Sequence, residues 1–126
     1  MLRAVLVGCG LMSRAWLEAA REVDGLAIVG LVDIDIERAK GRAEEFGLTD
    51  AVVGTDAAEV IDRVKPDAVF DVVVPAARHG LALTAFERGC HLLTEKPMAD
   101  SLEHAGDIIA AGRKAGRLHA VIQNRR

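Results

Sequence analysis

The sequence predicts a doubly wound parallel α/β sheet, and three observations carry that prediction. Short β-branched runs alternate with longer segments of helical period along the whole chain, as repeated βαβ units require. Several of the short runs are apolar almost throughout, the composition of strands covered on both faces. Glycine, aspartate and proline stand at the changes of period, where turns are needed. Together these give about six strands with helices on both faces of the sheet.

The first strand is expected over residues 3–7, followed by the turn Gly8-Cys9-Gly10. A helix over 11–23 comes next, with Leu11, Ala15, Leu17 and Ala20 on its apolar side and Arg14, Glu18 and Arg21 on its polar side. Asp24-Gly25 closes it. Residues 26–32 form the second strand and 36–46 the second helix, which Gly47 ends. A short third strand over 51–53 leads to Thr55 or Asp56 as N-cap of a helix through Val64. Lys65-Pro66-Asp67 breaks the chain before residues 68–74, the most strand-like run, interrupted only by Asp71 and therefore placed mid-sheet. A helix over 76–88, a strand over 91–94, a helix over 101–115 and a strand over 118–122 complete the pattern.

The 126 residues fit one ordinary domain. With 51% hydrophobic and 28% charged residues the chain has material for a core, and disorder is excluded. Sixteen Lys and Arg against 19 Asp and Glu give a net charge of −3, without the basic surface that nucleic acid demands. No apolar run approaches the ~20 residues of a bilayer span, and the N-terminus lacks the features of a signal peptide. A cytoplasmic compartment is expected. Cys9 and Cys90 are too few for a disulfide framework, and His91, His104 and His119 lack metal-ligand spacing; no metal is expected. Trp16 reads as a core or domain-contact residue.

The chemistry concentrates at strand ends. Gly8-Cys9-Gly10-Leu11-Met12-Ser13 lies between a strand and a helix, the setting in which glycines cradle a dinucleotide pyrophosphate. Gly8 permits the tight turn; Gly10 and the amides of Leu11 and Met12 face the phosphates. Ser13 occupies the place where the fingerprint has Gly or Ala. An ordinary βα turn using two glycines is the other reading. Asp33 follows the second strand, ~20 residues after Ser13, where a carboxylate binds the adenosine ribose hydroxyls and repels a 2′-phosphate. It favours NAD over NADP, with Ile34 beside it and Arg38 one turn further able to swing toward a phosphate; Asp33 or Asp35 also suits a helix N-cap. Val74 and Pro75 end the fourth strand on the nicotinamide-ribose side, and His79, early in the next helix, is placed to reach the cofactor or else is a solvated polar residue. Thr94-Glu95-Lys96-Pro97 ends the fifth strand, and Lys96 there is an acid–base candidate with Glu95 as neighbour; a surface lysine entering a proline-initiated loop is the alternative.

With these residues assembled, nearly the whole chain resembles the nucleotide-binding domain of the Gfo/Idh/MocA oxidoreductases. The marks are Gly8-x-Gly10, Val32-Asp33 with Glu37-Arg38-Ala39, Val73-Val74-Pro75 with His79, and the run from Gly89 to Pro97 ending Glu95-Lys96-Pro97. The resemblance implies a Rossmann fold, NAD as cofactor, Lys96 at the nicotinamide assisting proton transfer, and a Lys96-Pro97 bond in the cis form. It also implies a sugar, cyclitol or related polyol as substrate and a parent that is a homo-oligomer. Ala76 and Ala77 depart from the family pattern, in which a residue such as Asn follows that proline. The family's second, substrate-recognising domain has no counterpart in these residues, so the chain is expected to be the cofactor domain of a longer enzyme, nearly inactive alone. A non-catalytic dinucleotide sensor is the competing expectation; a doubly wound domain for another nucleotide or S-adenosylmethionine is a third.

Overall fold

The computed structural model describes residues 1–123; Arg125 and Arg126, which the sequence leaves as rim charges or as the start of a further segment, lie outside the described residues. The elements are β1 (Leu2–Val7), α1 (Ser13–Arg21), β2 (Leu26–Val32), α2 (Ile36–Glu45), β3 (Val52–Gly54), α3 (Ala57–Val64), β4 (Ala68–Asp71), α4 (Pro75–Glu87), β5 (His91–Thr94), α5 (Leu102–Ala115) and β6 (His119–Val121). All strand pairs are parallel, in the order β3-β2-β1-β4-β5-β6. The order reverses between β1 and β4, so the two halves of the sheet wind away from each other and leave a crevice at their carboxyl ends.

Alternation along the strands fills both faces. Ala4, Leu6, Leu31, Ala68 and Phe70 face Leu17 of α1 and Ala39 of α2. Val5, Val7, Val32, Val69 and Leu92 face Val60, Leu81, Phe86 and Ile108 of α3, α4 and α5. Three of the five helices, α2, α3 and α5, start where a short polar side chain satisfies a first-turn amide: Asp35 accepts from Glu37 N, Asp56 from Glu59 N and Ser101 from His104 N. On the sheet beneath α3, two glycines make room for one side chain. A Cβ at Gly30 would meet Val60 Cγ1 at 2.8 Å, and one at Gly54 would meet Val60 Cγ2 at the same distance. Val60 therefore sits in a socket shared by β2 and β3.

Most boundaries shift by one or two residues from the sequence reading, and those nearest the crevice shift for local reasons. β4 stops at Asp71 rather than Val74, because Asp71 Oδ1 accepts from Val73 N at 3.1 Å and turns the chain out of the ladder. Val74 then caps α4, with Pro75 at its first turn. α1 begins at Ser13, since Leu11 and Met12 are spent on the turn; of the two caps considered for α3, Asp56 serves and Thr55 is left at the crevice. Among the described residues, no helix is long and apolar enough to cross a membrane, and no group of three or more His, Cys, Asp or Glu is placed to hold a metal ion.

Candidate functional site

The strand ends that converge at the crevice bring Gly8, Asp33, Asp71 and Glu95 to one edge of the sheet. Gly8 has φ +100, and a Cβ there would lie 2.5 Å from the Val72 carbonyl oxygen. Its amide donates to Val32 O at 2.8 Å. The turn is thus wedged between β2 and the loop after β4, and only glycine fits the wedge. Gly10 is the opposite case: a Cβ there would meet nothing within 4 Å, so its open side faces space rather than protein. Ser13, Arg14 and Ala15 amides donate to the carbonyls of Gly10, Leu11 and Met12. The amides of Gly10, Leu11 and Met12 find no acceptor among the described residues, so they are left for an anion at the helix start.

Asp33 is 8% exposed and fixed by two amides, Cys9 N to Oδ1 at 2.8 Å and Asp35 N to Oδ2 at 2.9 Å. Arg38 Nη1 lies 3.9 Å from Oδ2. One carboxylate therefore ties the glycine turn to the end of β2 while presenting its edge to the crevice. Next to it, burial and the nearby Asp33 charge push the Cys9 thiol up to about 12, which leaves it a neutral filler in contact with the Val32 carbonyl.

The crevice is a cleft of about 430 Å³. It gathers Gly8, Gly10, Asp33, Ile34, Arg38 and Val74 of the residues singled out from the sequence, and adds Thr55 and the first turn of α3. Leu11 and Met12 are exposed at the neighbouring rim. The sequence reading took Thr55 and Asp56 only as caps and did not place Thr55 through Ala58 at the cleft; the Gly54-Thr55-Asp56 turn after a strand was the available signal.

Glu95 and Lys96 lie at the end of β5, outside that cleft's lining. Glu95 is 9% exposed; its amide donates to Asp71 O and its Oε2 accepts from Trp16 Nε1 at 2.7 Å. The Lys96-Pro97 bond is cis, and Lys96 is exposed. What fastens this loop is a pair the sequence reading passed over. Arg78, 3% exposed on α4, directs Nε to Asp71 Oδ1 at 3.4 Å, Nη2 to Val73 O at 2.8 Å and Nη1 to Pro97 O. Burial holds the Asp71 carboxyl above its ordinary range against the pull of Arg78. The acid inside an otherwise apolar strand was the signal, since a buried carboxylate needs a partner. His79 turns toward α5 instead of the cleft: its Nε2 lies 2.9 Å from Asp107 Oδ2, and its ring stacks on His104 at 3.9 Å. Pro75 is the first residue of α4, beside the Val74 that does line the cleft.

A dinucleotide fits these features: unclaimed amides at a glycine turn, open space over Gly10, and a carboxylate edge at the next strand. The comparisons with known proteins agree. The family described as an oxidoreductase family with an NAD-binding Rossmann fold matches residues 2–123. The chain is 35% identical over 115 residues to D-apiose dehydrogenase of Paraburkholderia graminis, covering 90% of this chain and 30% of that protein. It is also 35% identical over 117 residues to inositol 2-dehydrogenase 4 of Saccharopolyspora erythraea, covering 92% and 34%. Among solved structures, an oxidoreductase from Agrobacterium radiobacter in complex with NAD+, L-tartaric acid and magnesium superposes with a TM-score of 0.92 at 26% identity, over 99% of this chain and 36% of that one. The WlbA dehydrogenase of Chromobacterium violaceum, in complex with NADH and UDP-GlcNAcA, gives 0.89 at 27%, over 99% and 36%. The chain thus spans about a third of the length of the proteins it matches. Sequence, sheet order and glycine turn converge on one assignment: the chain belongs to the Gfo/Idh/MocA oxidoreductase family and carries its NAD-binding Rossmann fold.

Proposed function

We propose that this chain is the cofactor domain of an NAD-dependent enzyme that interconverts a secondary alcohol and a ketone on a sugar, cyclitol or related polyol, with Lys96 moving the proton. When bound, the nicotinamide supplies the hydride acceptor or donor. The observation that carries the reading is the state of Lys96. Its neighbour Glu95 is engaged by Trp16, and Lys96 enters no ion pair among the described residues. The loop that bears it is fastened on one side through Glu95 and on the other through the Pro97 carbonyl. An exposed ammonium on a fixed backbone, at the strand edge where the cofactor binds, is suited to donate a proton to a ketone oxygen or, as the neutral amine, to take one from a hydroxyl.

The pyrophosphate is assigned to Gly8, Gly10, Leu11 and Met12, the adenosine ribose to Asp33 with Ile34 and Arg38 at its rim, and the nicotinamide ribose to Val74 and Pro75. Glu95 supports Lys96 from the backbone side, and His79 reaches this site only if its pair with Asp107 opens. The relatives' greater length supports a longer parent with a second, substrate-binding domain; a homo-oligomeric assembly in the cytoplasm, engaging neither nucleic acid nor membrane, completes the proposal. The test is Lys96→Ala in the parent protein, assayed for NAD reduction with a panel of inositols, pentoses and hexosides. Turnover is expected to fall by about 10²-fold or more while NADH affinity holds within about twofold. Undiminished turnover would remove Lys96 from the reaction and favour a non-catalytic dinucleotide module.

A further inference from the structure

The glycine turn is held from a side that neither Asp33 nor the glycines explain. Arg42, near the end of α2 and mostly buried, reaches back to it. Its Nε donates to Ser13 Oγ at 2.9 Å and its Nη2 to the Gly10 carbonyl at 3.2 Å. Ser13, fully buried, donates its hydroxyl to that same carbonyl, and the Ser13 amide adds a further bond at 3.1 Å. Three donors from two residues therefore converge on one oxygen. Ser13 is thereby more than a tolerated replacement for a small residue: a hydroxyl buried there needs partners, and Arg42 and Gly10 provide them.

We infer that Arg42 is a positioning residue for the cofactor's pyrophosphate, acting through Ser13 and the Gly10 carbonyl. The inference rests on the turn being the pyrophosphate cradle, as proposed above. In a trans peptide the carbonyl and the following amide point in opposite directions within one rigid plane. Pinning Gly10 O toward α2 consequently aims Leu11 N–H away from α2, to the open side of the turn. That amide is one of those without an acceptor among the described residues. The action is chiefly orientational: Glu45 accepts from Arg42 Nη1 at 3.1 Å and from Arg14 Nε at 3.0 Å, which offsets the charge that Arg42 brings. A lysine ammonium lacks the planar fork that places Nε on Ser13 Oγ, Nη2 on Gly10 O and Nη1 on Glu45 in one fixed arrangement, so charge alone does not reproduce the geometry.

The experiment is a titration of the chain with NADH, ADP and adenosine, followed by Trp16 emission and ligand-observed NMR. Arg42→Ala is expected to weaken NADH and ADP by about tenfold, the loss of one good charge-assisted bond, and to leave adenosine, which has no phosphate, within about twofold. Arg42→Lys is expected to behave like Arg42→Ala. Ser13→Ala keeps the bond from Arg42 to Gly10 and loses less, and the double variant is no worse than Arg42→Ala alone. If Arg42→Ala does not fold, Arg42→Met retains the aliphatic stem and reports the same contrast. Wild-type affinity for ADP in the variant, equal loss of adenosine and ADP, or rescue by lysine would each overturn the inference. A wild-type chain that binds neither NADH nor ADP would overturn the cofactor reading and this one with it, whereas binding unaffected by Arg42 overturns this one only.

Discussion

Gly8 and Gly10 stand two residues apart in one turn, yet adding a methyl group to each tests different things. At Gly8 the new Cβ would lie 2.5 Å from the Val72 oxygen, 2.6 Å from the Val72 carbon and 2.9 Å from Val73 N. All three are backbone atoms, so relief requires moving the loop after β4 by roughly 1 Å or rebuilding the turn. The clash costs about 1–3 kcal/mol, and the positive φ adds about 1–2 kcal/mol for a non-glycine residue. A central value of about 3 kcal/mol, at about 4 °C per kcal/mol for a domain of this length, lowers Tm by about 12 °C. At Gly10 the Cβ meets no atom within 4 Å and φ is not positive, so alanine is neutral or stabilises by about 0.4–1 kcal/mol. On the proposed assignment that space receives the pyrophosphate, and NADH affinity is expected to fall at least about tenfold. Melts by circular dichroism and NADH titrations on both variants separate the effects. A Gly8→Ala protein melting within about 3 °C of the parent, or a Gly10→Ala protein binding NADH undiminished, would refute the reasoning.

Four further outcomes are expected. If Asp33 takes the adenosine ribose as proposed, Asp33→Ala should erase a preference for NADH over NADPH in paired titrations, because the carboxylate that would repel a 2′-phosphate is gone; retained preference would point to another determinant. Arg78→Ala strips the buried Asp71 of its cation and should cost about 3–5 kcal/mol in urea unfolding, whereas Asp71→Leu with Arg78→Met should recover most of it. Cys9, with its thiol pushed up to about 12 when folded, should resist alkylation at pH 8 until the chain unfolds. The same shift makes the folded state bind a proton that the unfolded state has already lost. Stability should thus be full below pH 9 and fall toward pH 12, by up to about 1.4 kcal/mol per unit, and Cys9→Ala should flatten that slope in alkaline melts.

Much of the fold was legible because each element's local signals agreed with its tertiary place. The run of Val and Phe after Pro66 did mark a central strand, and Asp35, Asp56 and Ser101 did begin helices. Boundaries slipped where a side chain competed with the backbone ladder, as Asp71 does at the end of β4. At the site, residues next to glycine turns and strand ends could be picked out because their roles depend on nearby sequence. Arg42 and Arg78 could not: their partners lie 32 and 19 residues away at the far ends of their bonds, and nothing in a helical arginine announces an inward direction. His79 shows the converse, since its partners come from α5, which sequence spacing does not bring beside it.

The socket that Gly30 and Gly54 form around Val60 sets how deeply α3 seats on the sheet, and the first turn of α3 is one wall of the cleft. Cleft width is accordingly a packing variable. A methyl group added at either glycine lifts that wall outward, and a smaller residue at position 60 lets it settle inward, with every ligand-facing side chain unchanged. Cofactor grip in this domain can therefore drift through substitutions that touch nothing but aliphatic carbon, and variation at positions 30, 54 and 60 is coupled: a larger residue in the floor is tolerated only with a smaller one in the helix above it.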